Sequence, residues 1–299
     1  MSSADAPLPL PIPFTLATVI YATDFSPRSE NAGHYASLLA RQFNAELLVA
    51  HTFVLTQAAM EAEAKAGPAV KSSQRQESEA ALAKAAHGYP DNLRTTSILL
   101  EGNPEEQLPR LARERAPSIL VIGTEGRGRF DRSIMRAVSE KILRSTGGPA
   151  LTVGPHVPAS TDVPQIRRVL FATTLADGAA RGAACALGMA EAFHAEIDVL
   201  HVVRPELAGN LRDLEKAQQQ FQQEIDSLFP KAPTISSPRG VVEVGGDAPA
   251  RILDHLREHS IDLLVLSLRR SSHLRLESLV SDAFHIIADA PCPVLTILG

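Results

Sequence analysis

The chain has 299 residues, enough for two domains that each bury a core. Its 44% hydrophobic and 21% charged residues are typical of a soluble globular protein, and a net charge of -5 argues against nucleic-acid binding. No apolar run reaches the roughly 20 residues that a membrane helix requires. Two scattered cysteines, both expected in the core, are typical of a reducing compartment. We therefore expect a cytoplasmic protein with no membrane or nucleic-acid partner.

The first half of the chain alternates short apolar runs with helical patterns. After an N-terminal extension (1–16), the runs TVIYAT (18–23), AELLVAHTF (45–53), TTSILLEG (95–102), SILVIG (118–123) and PALTV (149–153) predict strands of a parallel sheet. Ser26 and Pro27 predict a helix start, and further helices are predicted over 57–88, 104–115 and 132–144, the first of these broken near Gly67 and Pro68. This order predicts a doubly wound sheet with helices on both faces.

The second half repeats the first. TVIYAT returns as RVLFAT (168–173) and AELLVAHTF as AEIDVLHVV (195–203), both 150 residues later. SILVIG and PALTV return 144 residues later as DLLVLS (262–267) and PVLTI (293–297). We predict two tandem α/β domains, 17–154 and 167–299, each with a five-stranded parallel sheet, joined by a linker over 155–166. We call them copy one and copy two.

The last strand of each copy, PALTV or PVLTI, would otherwise leave a sheet edge unpaired. We therefore expect these strands to pair with each other, which would make the chain an intramolecular pseudo-dimer. A homodimer of such chains is left open.

Ligands bind open parallel sheets at the carboxyl ends of the strands, where the strand order reverses. In copy one, Asp24 follows the first strand, and GTEGRGRFDR (123–132) follows the fourth. Its glycines, its arginines and the helix that follows suit phosphates. The alternatives are a flexible basic loop, and for Asp24 a role as a helix cap. His51 and His201 occupy equivalent places in the two copies.

The segments YATDFSPRSENA (21–32) and GTEGRG (123–128), followed by a helix and GGPALTV (147–153), resemble the universal stress protein family. The resemblance covers both copies and implies Rossmann-like domains of the adenine nucleotide alpha hydrolase-like type. ATP-binding members of the family carry a Gly-x2-Gly-x9-Gly-Ser/Thr pattern. Gly123 and Gly126 match it, whereas Arg136 and Ala137 stand at its last two positions.

The resemblance implies a nucleotide site in copy one. Ala22, Thr23 and Asp24 would line the adenosine, with Thr52 adding backbone contacts. The phosphates would face Gly123, Gly126 and the backbone of Arg136, Ala137 and Val138. In copy two, Thr174, Ser267, Arg270 and Val280 replace the acidic residue, both glycines and Arg136, and only Ser281 keeps the family pattern. Copy two is therefore expected to be structural.

We expect a stress-response protein that binds ATP or another adenine nucleotide in copy one. The motifs bring together no nucleophile, base and oxyanion donor, so no catalytic residue is assigned and any ATP hydrolysis would be slow. The ten histidines have no ligand spacing, so no metal ligand is assigned. The alternative is a nucleotide-free interaction protein whose protein partner the sequence does not identify. An adenine-nucleotide enzyme of the wider class has no motif support.

Overall fold

A computed structural model describes residues 14–53, 69–124, 132–159, 164–174, 179–207, 211–229, 237–268 and 276–298. Copy one runs β1 (Thr18–Ala22), α1 (Pro27–Gln42), β2 (Glu46–Phe53), α2 (Ala69–His87), β3 (Thr95–Glu101), α3 (Pro104–Glu114), β4 (Ser118–Gly123), α4 (Arg132–Thr146) and β5 (Ala150–Val153). The predicted order of strands and helices is confirmed. The part of the predicted 57–88 helix before residue 69, including Gly67 and Pro68, lies outside the described residues.

Copy two repeats this order. It runs β6 (Arg168–Ala172), α5 (Ala179–Phe193), β7 (Glu196–Val203), α6 (Leu211–Leu228), β8 (Arg239–Val244), α7 (Ala248–Glu258), β9 (Leu263–Leu268), α8 (Leu276–Asp289) and β10 (Val294–Leu298). A single 3-10 turn, Pro205–Leu207, follows β7.

The ten strands form one sheet in the order β3-β2-β1-β4-β5-β10-β9-β6-β7-β8. Neighbouring strands within each copy are parallel, and β5 pairs with β10 antiparallel. At this seam the Thr152 hydroxyl donates to the Val294 carbonyl at 3.0 Å, and the Thr296 hydroxyl donates to the Ala150 carbonyl at 3.2 Å. The predicted pairing of the two copies through their last strands is confirmed.

Two apolar layers cover the sheet. Strand side chains alternate between its faces, so Val19, Tyr21 and Val49 face a first layer that includes α1 and α5. Ile20, Ala22, Leu48 and Ala50 face a second layer that includes α3, α4, α7 and α8. Cys185 lies in the first layer and Cys292 in the second, as predicted for core residues. Burial raises the pKa of the Cys292 thiol to about 12.

The segments flanking copy one also join the first layer. Val157 and Ile166, within the predicted linker, are both buried there. Phe14 meets Phe43, which follows α1, edge to face, with ring centroids 5.6 Å apart. It also lies against Gly188 of α5, where an added Cβ would come within 2.4 Å of the Phe14 Cβ. Phe14, which precedes β1 in the chain, therefore contacts the end of α1 in copy one and α5 in copy two.

Candidate functional site

The carboxyl ends of β2, β1 and β4 lie side by side in copy one. Ala22 is the register partner of Ala50 on β2 and of Ile122 on β4. The residues that continue these strands therefore end at the same edge of the sheet. This edge brings together five of the nine residues predicted for the nucleotide site: Ala22, Thr23, Asp24, Thr52 and Gly123.

Asp24 holds the turn between β1 and α1. Its Oδ1 atom accepts from the Ser26 backbone N–H at 3.0 Å and from the Ser26 hydroxyl at 2.6 Å. Ser26 in turn caps α1, because its Oγ atom accepts from the Ser29 N–H at 3.2 Å, and Pro27 follows at the first helical position. Asp24 thus supports the capping residue, whereas the role as helix cap that was considered for Asp24 belongs to Ser26.

Phe25 adopts a φ of 60°, which is uncommon for a residue with a side chain. Its ring packs on the imidazole of His51, with centroids 4.3 Å apart. The Nδ1–H of His51 donates to the Thr23 carbonyl at 2.7 Å. In copy two, His201 bonds to the Thr173 carbonyl at 3.0 Å in the same way. The duplicated histidines therefore tie the second strand to the end of the first in each copy.

Two buried hydroxyls flank the end of β1. The Oγ1 atoms of Thr52, near the end of β2, and of Thr124, just after β4, have no hydrogen-bond partner among the residues that the structure describes. Thr52 shares the face of Ala50, which belongs to the second layer. A buried polar atom without a partner is rare and calls for an explanation.

Thr124 was not singled out from the sequence. In the sheet, β1 lies between β2, which carries Thr52, and β4, which Thr124 follows. The two threonines therefore lie on either side of the segment that leaves β1, which includes Asp24. The signal that could have found it is a comparison of the copies, because an apolar residue, Leu268, stands at its place in copy two.

At two positions of the corresponding edge, copy two has apolar residues. The registers of β6 with β7 and β9 match those of β1 with β2 and β4. They set Val202 at the place of Thr52 and Leu268 at the place of Thr124. Val202 packs against the second layer, and Leu268 is buried in it. At these two positions copy two packs apolar side chains, whereas copy one has two hydroxyls without hydrogen-bond partners among the described residues.

Helix α4 follows β4 on the second-layer face, into which Ile142 and Leu143 are buried. Arg136, Ala137 and Val138 lie within this helix, which begins at Arg132. Val138 packs against the second layer, whereas the side chains of Arg136 and Ala137 lie outside the described part of the chain. Gly126 also lies outside it. The N–H groups of the first helical turn have no intrahelical acceptor and carry partial positive charge.

The described residues hold no group of three or more His, Cys, Asp or Glu side chains that could bind a metal ion. Among the described helices, none combines the length and apolar character needed to cross a membrane.

The model of the universal stress protein family matches residues 16–154 and matches again at residues 165–297. The chain belongs to the universal stress protein family. The two matches confirm the resemblance noted in the sequence and the tandem arrangement.

Solved structures of universal stress proteins share the fold. A universal stress protein from Archaeoglobus fulgidus DSM 4304 superimposes with a TM-score of 0.73 at 17% identity, covering 95% of this chain and 99% of that one. A putative universal stress protein from Pseudomonas aeruginosa UCBPP-PA14 gives 0.60 at 12% identity, covering 95% and 93%. A functionally unknown protein from Pseudomonas aeruginosa PAO1 gives 0.60 at 12%, covering 95% and 92%. No curated protein matches the chain.

Proposed function

We propose that copy one of this universal stress protein binds an adenine nucleotide, ATP in the first instance, and that copy two is its structural counterpart. The observation that carries the proposal is the pair of buried hydroxyls on Thr52 and Thr124, which flank the end of β1 without partners among the described residues. A ligand lying across that end would supply both partners. Because Val202 and Leu268 stand at the places of Thr52 and Thr124 in copy two, we restrict the site to copy one.

The residues divide into two groups along such a ligand. Beside Ala22 and Thr23, the Asp24 carboxylate is suited to accept hydrogen bonds from a ribose or an adenine, while the Thr52 and Thr124 hydroxyls supply short-range donors. Gly123 and Gly126 leave room for phosphates to approach the backbone. The N-terminal turn of α4 offers positive partial charge to the phosphates. Arg136 and Ala137 lie one turn further along α4, at the family's last two motif positions, with Val138 after them.

The proposed activity is binding rather than turnover, within a cytoplasmic stress response. The hydroxyls of Thr23 and Ser29 lie 3.0 Å apart and also bond to groups of the turn and to the Tyr21 phenol, but neither bonds to a histidine or a carboxylate among the described residues. Without a base to position water, a bound ATP would be hydrolysed slowly at most.

The test is isothermal titration of the purified chain with ATP, using a variant that imports the residues of copy two. Thr52→Val with Thr124→Leu should weaken ATP binding at least tenfold, about 1.4 kcal/mol. The matched control is Thr174→Ala in copy two, which should leave ATP affinity unchanged.

A folded wild-type chain that binds neither ATP, ADP nor AMP would overturn the proposal and favour the nucleotide-free interaction protein. Unchanged affinity in the Thr52→Val, Thr124→Leu variant would overturn the assignment of the site.

A further inference from the structure

The two outer edges of the sheet are protected differently. At the β8 edge, two glutamines of α6 bond to the strand backbone. Gln218 accepts from the Val242 N–H at 2.9 Å and donates to the Gly240 carbonyl at 2.7 Å. Gln222 accepts from the Gly240 N–H at 2.9 Å and donates to the Pro238 carbonyl at 3.4 Å. Each side-chain amide bridges a carbonyl and an N–H two residues apart, as a further parallel strand would.

The β3 edge has no such cover among the described residues. The Gly102 N–H donates to the Phe53 carbonyl of β2, and the Arg94 carbonyl accepts from Leu47 of β2, so even-numbered residues of β3 turn toward β2. Odd-numbered residues alternate with them and turn outward. Within the described chain, no group bonds to the backbone N–H or carbonyl of Ser97 or Leu99.

The polar side chains of α2, the helix beside β3, make different bonds from those of α6. Arg75 and Glu79 of α2 have the same four-residue spacing as Gln218 and Gln222 of α6. They bond to each other at 2.9 Å, and Arg75 reaches the Glu101 carboxylate at 3.8 Å. Among the described residues, neither side chain forms a hydrogen bond with the backbone of β3.

The sequence of β3 also lacks the usual defences of an edge strand. Natural edges are blunted by Pro, by charged side chains, by bulges or by short strands. Residues 95–100, TTSILL, contain no Pro, Gly or charge, and the seven-residue strand carries its one charge at its end, on Glu101. By contrast, β8 (RGVVEV) contains Arg239, Gly240 and Glu243 in addition to the glutamine cover.

We propose that two copies of this chain associate through β3 paired antiparallel with β3, and that Gln218 and Gln222 prevent the same pairing at β8. The partner is a second copy because the edge is self-complementary: antiparallel pairing centred on Ile98 sets Glu101 opposite Thr95 and brings no like charges together. The contact continues the sheet by the kind of antiparallel pairing that β5 and β10 already make. One open edge per chain closes a two-fold dimer and stops growth.

The first test measures association by sedimentation over a wide dilution series. The wild type should be a reversible dimer. Ser97→Pro removes an outward N–H that β2 does not use, so the dimer's Kd should rise at least tenfold, about 1.4 kcal/mol. Gln218→Ala with Gln222→Ala opens the second edge and should produce assemblies larger than a dimer. The matched control, Gln219→Ala with Gln223→Ala, changes exposed glutamines of the same helix and should sediment like the wild type.

Hydrogen exchange of the wild type tests the same idea without a variant, should Ser97→Pro fail to fold. The Ser97 and Leu99 amides should exchange more slowly at high protein concentration, while the Val242 amide stays protected at every concentration. A wild type that remains monomeric throughout, or a dimer whose Ser97 and Leu99 amides exchange freely, would overturn the β3 contact. A Gln218→Ala, Gln222→Ala variant that remains a dimer would overturn the role of the glutamines.

Discussion

The Nδ1 atom of His255, on helix α7, lies 2.6 Å from the Oε1 atom of Glu243 on β8. The His255 side chain is 1% exposed. Arg251 donates to the other oxygen of the same carboxylate at 2.7 Å. In copy one, the register of β3 on β2 sets Leu100 at the place of Glu243, and the helix N-caps Asn103 and Asp247 set Leu111 at the place of His255. Where copy one buries two leucines, copy two has a partly buried polar cluster.

We expect His255→Leu to destabilise the chain by about 1–3 kcal/mol, because it removes the buried partner of a partly buried carboxylate. Adding Glu243→Leu recreates the leucine pair of copy one and should recover most of that loss, since replacing both partners of a hydrogen bond by apolar groups can be nearly neutral. Urea unfolding at neutral pH measures both variants. A double variant no more stable than His255→Leu would contradict this account.

Gly182 on α5 and Ser267 at the end of β9 form a size-matched pair. An added Cβ on Gly182 would lie 2.2 Å from the Ser267 hydroxyl and 2.7 Å from the Phe171 ring. Copy one has the reverse arrangement, with Ala32 and Gly123. Gly182→Ala should therefore cost about 1–3 kcal/mol of unfolding free energy, and Ser267→Gly in the same chain should recover part of it. A double-mutant cycle by urea unfolding measures the coupling, and additive effects would exclude it.

The charge and the turn-forming role of Asp24 can be separated. Asp24→Asn keeps an oxygen that accepts from the Ser26 N–H but removes the charge, whereas Asp24→Ala removes both. We expect Asp24→Ala to weaken ATP binding and also to lower the melting temperature. Thr174→Ala, at the equivalent place in copy two, should change neither. Titration calorimetry of these variants should give about one nucleotide per chain, since one copy keeps the polar edge. Two equivalent sites would contradict the asymmetry.

Arg136 is expected to obstruct the phosphates rather than to bind them. The family pattern has glycine at this position, and the neighbouring arginines already supply positive charge. Arg136→Gly with Ala137→Ser restores the pattern, and we expect ATP affinity to rise at least tenfold, equivalent to about 1.4 kcal/mol. Because a helical glycine costs about 1 kcal/mol relative to alanine, unfolding of the variant is measured alongside binding. A fall in affinity would instead make Arg136 a ligand.

Burial of the Cys292 thiol links stability to alkaline pH. The pKa of this thiol is about 12 in the folded chain against an ordinary value of 9.0, and burial also raises that of Cys185. The unfolded thiols therefore release protons first, so stability is fully present below about pH 9 and falls as the pH rises toward 12. Urea unfolding at pH 8 and pH 10 measures the loss. Cys292→Ala should reduce it, and an unchanged pH dependence would contradict the assignment.

The apolar periodicity predicted the strands and their order along the chain, because both depend on local sequence. The seam between the copies was predicted from the unpaired edge that each last strand would otherwise leave. The site was predictable only in part. Thr52 and Gly123 lie at the ends of recognisable strands and Asp24 follows one, whereas the unbonded state of the Thr124 hydroxyl depends on how neighbouring side chains pack. The contacts of Gln218 with β8 join residues more than 20 positions apart, and no local pattern of glutamines indicates them.

The reciprocal threonine bonds of the seam, between Thr152 and Val294 and between Thr296 and Ala150, join two domains of one polypeptide. Linkage on one chain makes this contact independent of protein concentration. It also changes what a mutation can do. In a symmetric pair of single-domain chains every substitution appears twice, so a change that closes one ligand site closes the other. Here each substitution appears once, so one half can acquire apolar packing at positions where the other half keeps polar side chains.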